Sequence, residues 1–313
     1  MAVYAPPIRR LITGIIWGDE GKGKIVDEQV CLTQSFDDGQ DIVVARFQGG
    51  ENAGHTLYVL IGEKWHKFVT HAAPSGIIRN TDIAIGPQVA FNPLSFIREI
   101  EEADKLLGGY NGRILISNRT GISFDYHKIL DAARESAGRG VGSTKSGIAP
   151  FYEDVARKTT RITFKEYLSD NFPNKLKEVL KDKKLELEYV GVSISSMLEK
   201  LVEEHKSARQ GLKGQGVDLE YRMREYIERG AHIIIEGAQG SGLDVDMGDI
   251  PNTTSSHLLA PNAFPSLGLN RKDFEIIGVE KIYATRVGDG DFPTYTEDSF
   301  AEIGKLSGEI GAS

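Results

Sequence analysis

Between an apolar run, Leu11–Ile16, and a segment able to open a helix, Ile25-Val26-Asp27-Glu28-Gln29-Val30, the chain places Trp17-Gly18-Asp19-Glu20-Gly21-Lys22-Gly23-Lys24. No other stretch constrains the fold as tightly. A strand that turns through glycines into a helix makes a phosphate cradle. Glycine lets backbone N–H groups approach an anion, and a helix start offers unpaired N–H groups and a positive dipole end. Lys22 and Lys24 add full charge. Gly18 to Lys24 fits the GxxxxGK portion of a P-loop, but Ile25 stands where that motif carries the hydroxyl that holds Mg²⁺. Asp19 is then the candidate hard-oxygen metal ligand, or a base. A surface turn with solvated charges is the competing reading, and the combination of strand, glycines and two lysines argues against it.

The chain has 313 residues, enough for one large domain or two ordinary ones. Its 35 glycines exceed the roughly 7% average share and cluster in short motifs rather than a repeat. A net charge of −8 argues against a general nucleic-acid binder. One cysteine, Cys31, excludes an internal disulfide and fits a reducing compartment. No apolar run reaches the ~18 residues of a membrane span. Met1–Arg10 has no secretory pattern. The expected location is cytoplasmic.

Strand-like runs fall at Leu11–Ile16, Ile42–Phe47, Thr56–Leu60, Lys67–Val69, Ile83–Ile85, Arg113–Ile116, His232–Ile235 and Ile276–Ala284. Helix-like runs fall at Leu94–Leu106, Tyr126–Ser136, Lys175–Leu180, Ser195–Gln210 and Leu219–Arg229. Such alternation predicts an α/β fold: a P-loop-like, mostly parallel central sheet flanked by helices. Thr56–Leu60 and Trp65–Val69 form a hairpin in this reading. The Lys- and Glu-rich stretch around 160–230 reads as a helical insertion within one domain over 1–313.

Further constellations follow strand ends, where open α/β sheets bind ligands. Asn52-Ala53-Gly54-His55-Thr56 comes after Ile42–Phe47 and offers an amide, a carbonyl, an imidazole and a hydroxyl. His55, in a glycine-rich loop at a strand end, is a candidate for catalysis. Gly140 to Pro150 combines glycines, Ser143, Thr144 and Lys145 in a way that suits a phosphate. Glu236-Gly237-Ala238-Gln239-Gly240 follows His232–Ile235, and Gln239 can face the edge of a base. Thr253 to Ser256 reads as turn polarity or phosphate contacts. Ala284 to Thr294 closes the set. These pieces specify a nucleotide-binding α/β enzyme without naming its reaction.

Taken together the motifs resemble one family, adenylosuccinate synthetase. WGDEGKGKIVD, FQGGxNAGHT, PSGI at Pro74–Ile77, DYH at Asp125–His127, EGAQG and TRVGxG occur in the family's order. The resemblance implies GTP-dependent ligation of IMP and L-aspartate with Mg²⁺, through a 6-phosphoryl intermediate, in purine nucleotide synthesis. It implies Asp19 as the base that takes the N1 proton and His55 as the acid. Gly18, Asp19, Glu20, Gly21, Lys22, Gly23, Lys24, Gly54, His55 and Thr56 match the GTP contacts. Asp19, Glu20, Gly21, Lys22, Asn52, Ala53, Gly54, His55, Thr144, Arg157, Gln239 and Thr254 match the IMP contacts. Asp19 and the Gly54 carbonyl match the metal ligands. A homodimer with Arg157 donated across the interface is implied, with no nucleic-acid or membrane partner.

Several positions depart from the family's pattern. Ser143-Thr144-Lys145-Ser146 replaces a loop that normally carries an arginine, and Lys145 offsets that charge from a neighbouring position. Asp291 and Tyr295 replace a usual proline and glutamate. Ala312 and Ser313 stand at the start of the family's aspartate-binding loop, so the chain reads as a fragment or a degenerate copy with impaired ligase activity. Two other functions stay open. One is a GTP-binding module without ligase activity. The other is a viral-type relative that uses dGMP to make a diaminopurine precursor. A 2-amino group would crowd the Asp19 carboxylate, which favours IMP.

Overall fold

The computed structural model describes residues 6–138 and 142–292. Its strands are β1 Arg9–Gly14, β2 Ile42–Gly49, β3 His55–Ile61, β4 Lys64–Thr70, β5 Asp82–Phe91, β6 Ile114–Ser117, β7 Gly121–Ile122, β8 Gly216–Val217, β9 His232–Gly240 and β10 Glu275–Val279. Its helices are α1 Lys22–Gln34, α2 Pro93–Leu107, α3 Asp125–Ser136, α4 Ile148–Arg157, α5 Phe164–Leu168, α6 Phe172–Asp182, α7 Lys184–Tyr189, α8 Ile194–Gly211, α9 Leu219–Glu228 and α10 Ala263–Leu267.

The main sheet runs β10-β1-β9-β2-β5-β6-β8, with β7 added beside β5. Every pairing in it is parallel. Parallel strands need crossovers, and the crossover helices cover both faces, so the strands read as continuous apolar runs. β9 is the extreme case, buried at every position. The period of two still sorts its side chains. Ile234 joins Ile12, Val44, Val26 and Val30 on the α1 side. Ile233 and Ile235 join Leu11, Phe47, Met223 and Leu267 on the α9–α10 side. Each such buried side chain contributes about 1.5–3 kcal/mol of transfer free energy.

A third and larger core lies beneath the hairpin and among α2, α3 and α5 to α8, where Phe91, Phe96, Phe164 and Phe172 are fully buried. The hairpin pairs His55 with Thr70 through to Ile61 with Lys64, leaving Gly62-Glu63 as its two-residue turn. Gly62 takes φ +62°, the left-handed value that a first turn position of this length favours. Residues 160–230 supply α5 to α9 and also β8, which pairs with β6 at the sheet edge.

Several elements differ from the sequence reading, two of them beside the site. The sequence reading expects no helix near Pro150, yet α4 starts at Ile148 and contains it. Proline is tolerated in a first helical turn because its missing N–H has no intrahelical acceptor there. The strand expected over Ile276–Ala284 ends at Val279.

Candidate functional site

The turn between β1 and α1 is built from left-handed residues: Gly18 at φ +101°, Asp19 at +56° and Gly21 at +90°. Lys22 is the first residue of α1, which has no side-chain N-cap and no acidic residue in its first turn. Its opening N–H groups are thus left without a carboxylate of the chain's own. Asp19 and Lys24 are exposed, whereas Glu20 and Lys22 are buried and paired with each other. The Glu20 carboxylate also accepts from Gly18 N at 2.9 Å and Ile16 N at 3.3 Å. Burial alone would raise its pKa, but Lys22 and these N–H groups hold it below its ordinary value. Room for that carboxylate comes from two glycines. A Cβ on Gly240 would lie 2.1 Å from Glu20 Oε1, and one on Gly14 2.5 Å from Oε2.

The segment after β10 braces the same turn. Thr285 Oγ1 donates to Gly18 O at 2.9 Å and Val287 N to Trp17 O at 2.9 Å. Buried Arg286 lies over the Trp17 ring and pairs with Asp249 at 2.9 Å.

His55 opens β3 and is buried against α1: a Cβ on Gly23 would lie 2.7 Å from His55 Cβ. Its Nδ1 pairs with Glu236, a fully buried carboxylate in β9. Glu236 also accepts from Ser75 N and Ser75 Oγ, both at 2.7 Å, and Arg46 Nη2 stands 4.0 Å away. Burial opposes ionisation of Glu236, yet His55, Arg46 and the Ser75 N–H overcome it and set the pKa at about 2. Burial pushes the His55 pKa down, against the pull of Glu236. With the carboxylate ionised, Nδ1–H donates to it. Nε2, 3.4 Å from the Ala238 carbonyl, is the nitrogen left to trade a proton with a ligand.

The sequence reading missed Arg46, Ser75 and the role of Glu236. The signal was present: a charge set inside Val-Val-Ala-Arg-Phe and another after Ile-Ile-Ile, both in runs that read as buried strands.

Four expected nucleotide contacts converge. Asn52, Thr144, Gln239 and Thr254 line one cavity of about 130 Å³. Asn52 Nδ2 donates to Thr254 Oγ1 at 3.4 Å. Gln239 is 7% exposed, and among the described residues neither its Nε2 nor its Oε1 has a partner. A buried, unpaired amide costs stability and is retained where a ligand completes it. Asp131 of α3 holds the loop wall: its Oδ1 accepts from Ser143 Oγ at 3.0 Å and its Oδ2 from Gly147 N at 2.9 Å.

Other expected residues lie apart from that lining. Arg157 ends α4, half-exposed, with Nη1 3.6 Å from Glu186. Gly54 is exposed, Ala53 is buried and Thr56 lies in β3. Asp19, with no hydrogen bond or ion pair among the described residues, offers a free hard oxygen in keeping with a Mg²⁺ ligand. Asp244, Asp246 and His257 also gather their ligand atoms within 4.8 Å. Asp244, however, accepts from the backbone N–H groups of Asp246, Met247, Leu258 and Leu259, so it organises a loop. Ala312 and Ser313 lie outside the described residues, as do Gly140, Val141 and Tyr295. No helix among the described residues is long and apolar enough to cross a membrane.

Comparison with known proteins agrees with this architecture. The family profile of adenylosuccinate synthetase matches residues 11–313. Curated relatives named adenylosuccinate synthetase include one from Geotalea uraniireducens, 38% identical over 312 residues, covering 97% of this chain and 69% of the relative. Another, from Acidithiobacillus ferrooxidans, is 37% identical over 306 residues, covering 96% and 68%. The structure of fully ligated adenylosuccinate synthetase from Plasmodium falciparum superposes with a TM-score of 0.80 at 30% identity, covering 97% of this chain and 69% of that one. A cyanophage S-2L succinoaminodeoxyadenylate synthetase shares the fold at 19% identity and a TM-score of 0.67, covering 96% and 74%. With a profile spanning all but the first ten residues and relatives more than a third identical, the chain belongs to the adenylosuccinate synthetase family.

Proposed function

We propose that the chain carries out the GTP-dependent joining of IMP and L-aspartate to give adenylosuccinate. The observation that carries this reading is the convergence of Asn52, Thr144, Thr254 and the unpaired Gln239 amide on one cavity. The hydroxyls and the Asn52 amide suit a phosphate, and the Gln239 amide suits a purine edge. The 6-oxo group of hypoxanthine is a poor leaving group and must be activated. Asp19, exposed and unpartnered, takes the N1 proton, which raises the nucleophilicity of O6 toward the γ-phosphate of GTP. Lys22, Lys24 and the N–H groups of the Gly18–Lys24 turn neutralise charge on the phosphates. His55, oriented by Glu236, presents Nε2 to the transferring group. The amine of aspartate then displaces the phosphate from C6. In this reading Asp19 and the Gly54 carbonyl hold Mg²⁺, which supplies further charge neutralisation when bound. The working unit is a cytoplasmic homodimer with Arg157 contributed by the partner.

The test is calorimetric titration with IMP and with dGMP, followed by single-turnover assay of the 6-phosphoryl product. IMP is expected to bind more tightly than dGMP, because a 2-amino group meets the Asp19 carboxylate. Asp19→Asn is expected to lower intermediate formation by at least a hundredfold, the scale of a lost general base. Preference for dGMP, or unchanged turnover by Asp19→Asn, overturns the reading. GTP hydrolysis that needs no IMP would mark a GTP-binding module instead.

A further inference from the structure

Among the described residues that line the Gln239 cavity there is no lysine and no arginine. Two carboxylates line it, Asp131 and Asp289. Asp131 has both oxygens engaged by Ser143 and Gly147. The Asp289 carboxylate presses on the loop opposite, since a Cβ on Gly142 would lie 2.5 Å from its Cγ. A cavity with this lining repels a phosphate unless a cation comes to it.

One cation stands directly beside a lining residue in the chain. Lys145 follows Thr144, a wall of the cavity, and is exposed, with no ion pair among the described residues. Its backbone is left-handed, at φ +55°. A lysine pays for that conformation, and such strain persists only where the surroundings enforce it. Here they do. Lys145 N donates to Ser143 Oγ at 3.1 Å, Thr144 Oγ1 bonds Ser146 Oγ at 2.9 Å, and Asp131 fixes Gly147 beyond. Glycine would fit this backbone freely, so the side chain is kept for something other than loop shape.

We infer that Lys145 is a phosphate-binding cation of this cavity supplied by the chain itself, in addition to the Arg157 proposed to come from a partner, its ammonium closing on the 5′-phosphate of the nucleotide held by Thr144. The inference rests on the nucleotide reading above. The flexible four-carbon stem lets the ammonium reach in as a point charge from beside Thr144, without the fixed fork of an arginine.

Titration of IMP and of inosine, its phosphate-free counterpart, into the chain and into Lys145→Gly and Lys145→Arg tests it. Lys145→Gly is expected to weaken IMP about tenfold, the scale of a lost charged hydrogen bond, and to leave inosine unchanged. Its thermal midpoint is expected to hold or rise, because glycine relieves the left-handed backbone. The IMP affinity of the variant is also expected to lose much of its salt sensitivity. Lys145→Arg, which keeps the charge, is expected to stay within a few-fold of the parent for IMP. Unchanged IMP affinity in Lys145→Gly, or an equal loss for inosine and IMP, overturns the assignment. Failure of the unaltered chain to bind IMP at all strikes the nucleotide reading first, and this assignment with it.

Discussion

Glu236 is the residue on which the most electrostatics depends. It is fully buried, it orients His55, and it stands beside the equally buried Arg46. Removing one partner of such a group leaves the other charge uncompensated. Glu236→Gln is therefore expected to cost about 3 kcal/mol at neutral pH, read by urea denaturation. The pH dependence has a definite sign. Both Glu236 and His55 have folded-state pKa values below their ordinary ones, Glu236 at about 2. Their contribution to stability is complete above the range where the unfolded groups titrate. It drains away as the pH falls toward the folded values. The parent chain is expected to lose Glu236's share of its stability between about pH 5 and pH 2, and Glu236→Gln is expected to lose less over that interval. An equally steep loss in the variant would place the acid sensitivity elsewhere.

Between elements, α1 packs closely on β3 at the site. In an ordinary helix, Gly→Ala gains about 1 kcal/mol. At Gly23 the added methyl meets His55 Cβ at 2.7 Å and Ser75 Oγ at 3.3 Å. The sign is expected to reverse: Gly23→Ala destabilises by about 1–3 kcal/mol and lowers the ligase rate by displacing the imidazole. A stabilised, fully active variant would mean that α1 and β3 move apart freely. This contact also shows what was legible in the sequence. The β1 strand, the glycine turn and the hairpin with its Gly62-Glu63 turn follow from local patterns. So does the gathering of motifs at strand ends, since a parallel sheet brings those ends to one rim. The length of β5 was hidden because Gly86 and Pro87 lie inside it, opposite a register shift between Arg46 and Gln48. The start of α4 was hidden because Gly147 and Pro150 look like loop residues. The pairing of His55 with Glu236 crosses 181 positions, and no local pattern encodes a partner that far away.

At the scale of the whole molecule, the cavity draws its walls from six separate stretches, around Asn52, Asp131, Ser143, Gln239, Thr254 and Val287. A ligand there ties together pieces that the chain otherwise connects only through the sheet. IMP at a hundredfold its Kd is expected to add about 2.7 kcal/mol to stability, seen as a raised unfolding temperature. Hydrogen exchange is expected to slow at residues 142–147 and 252–255 in the same titration. No shift with IMP, against a clear shift with GTP alone, would place the nucleotide elsewhere.

The order of the main sheet bears on how the protein is made. β1 has two neighbours, and both arrive late: Leu11 pairs with Ile235 and with Ile276. Until more than two hundred further residues have left the ribosome, the first strand and its lysine-bearing turn have no sheet to join. An apolar strand waiting that long is a binding site for chaperones and a nucleus for aggregation. Yield in the cell is thus expected to depend on how the nascent β1 segment is sheltered during translation, as well as on the stability of the finished fold.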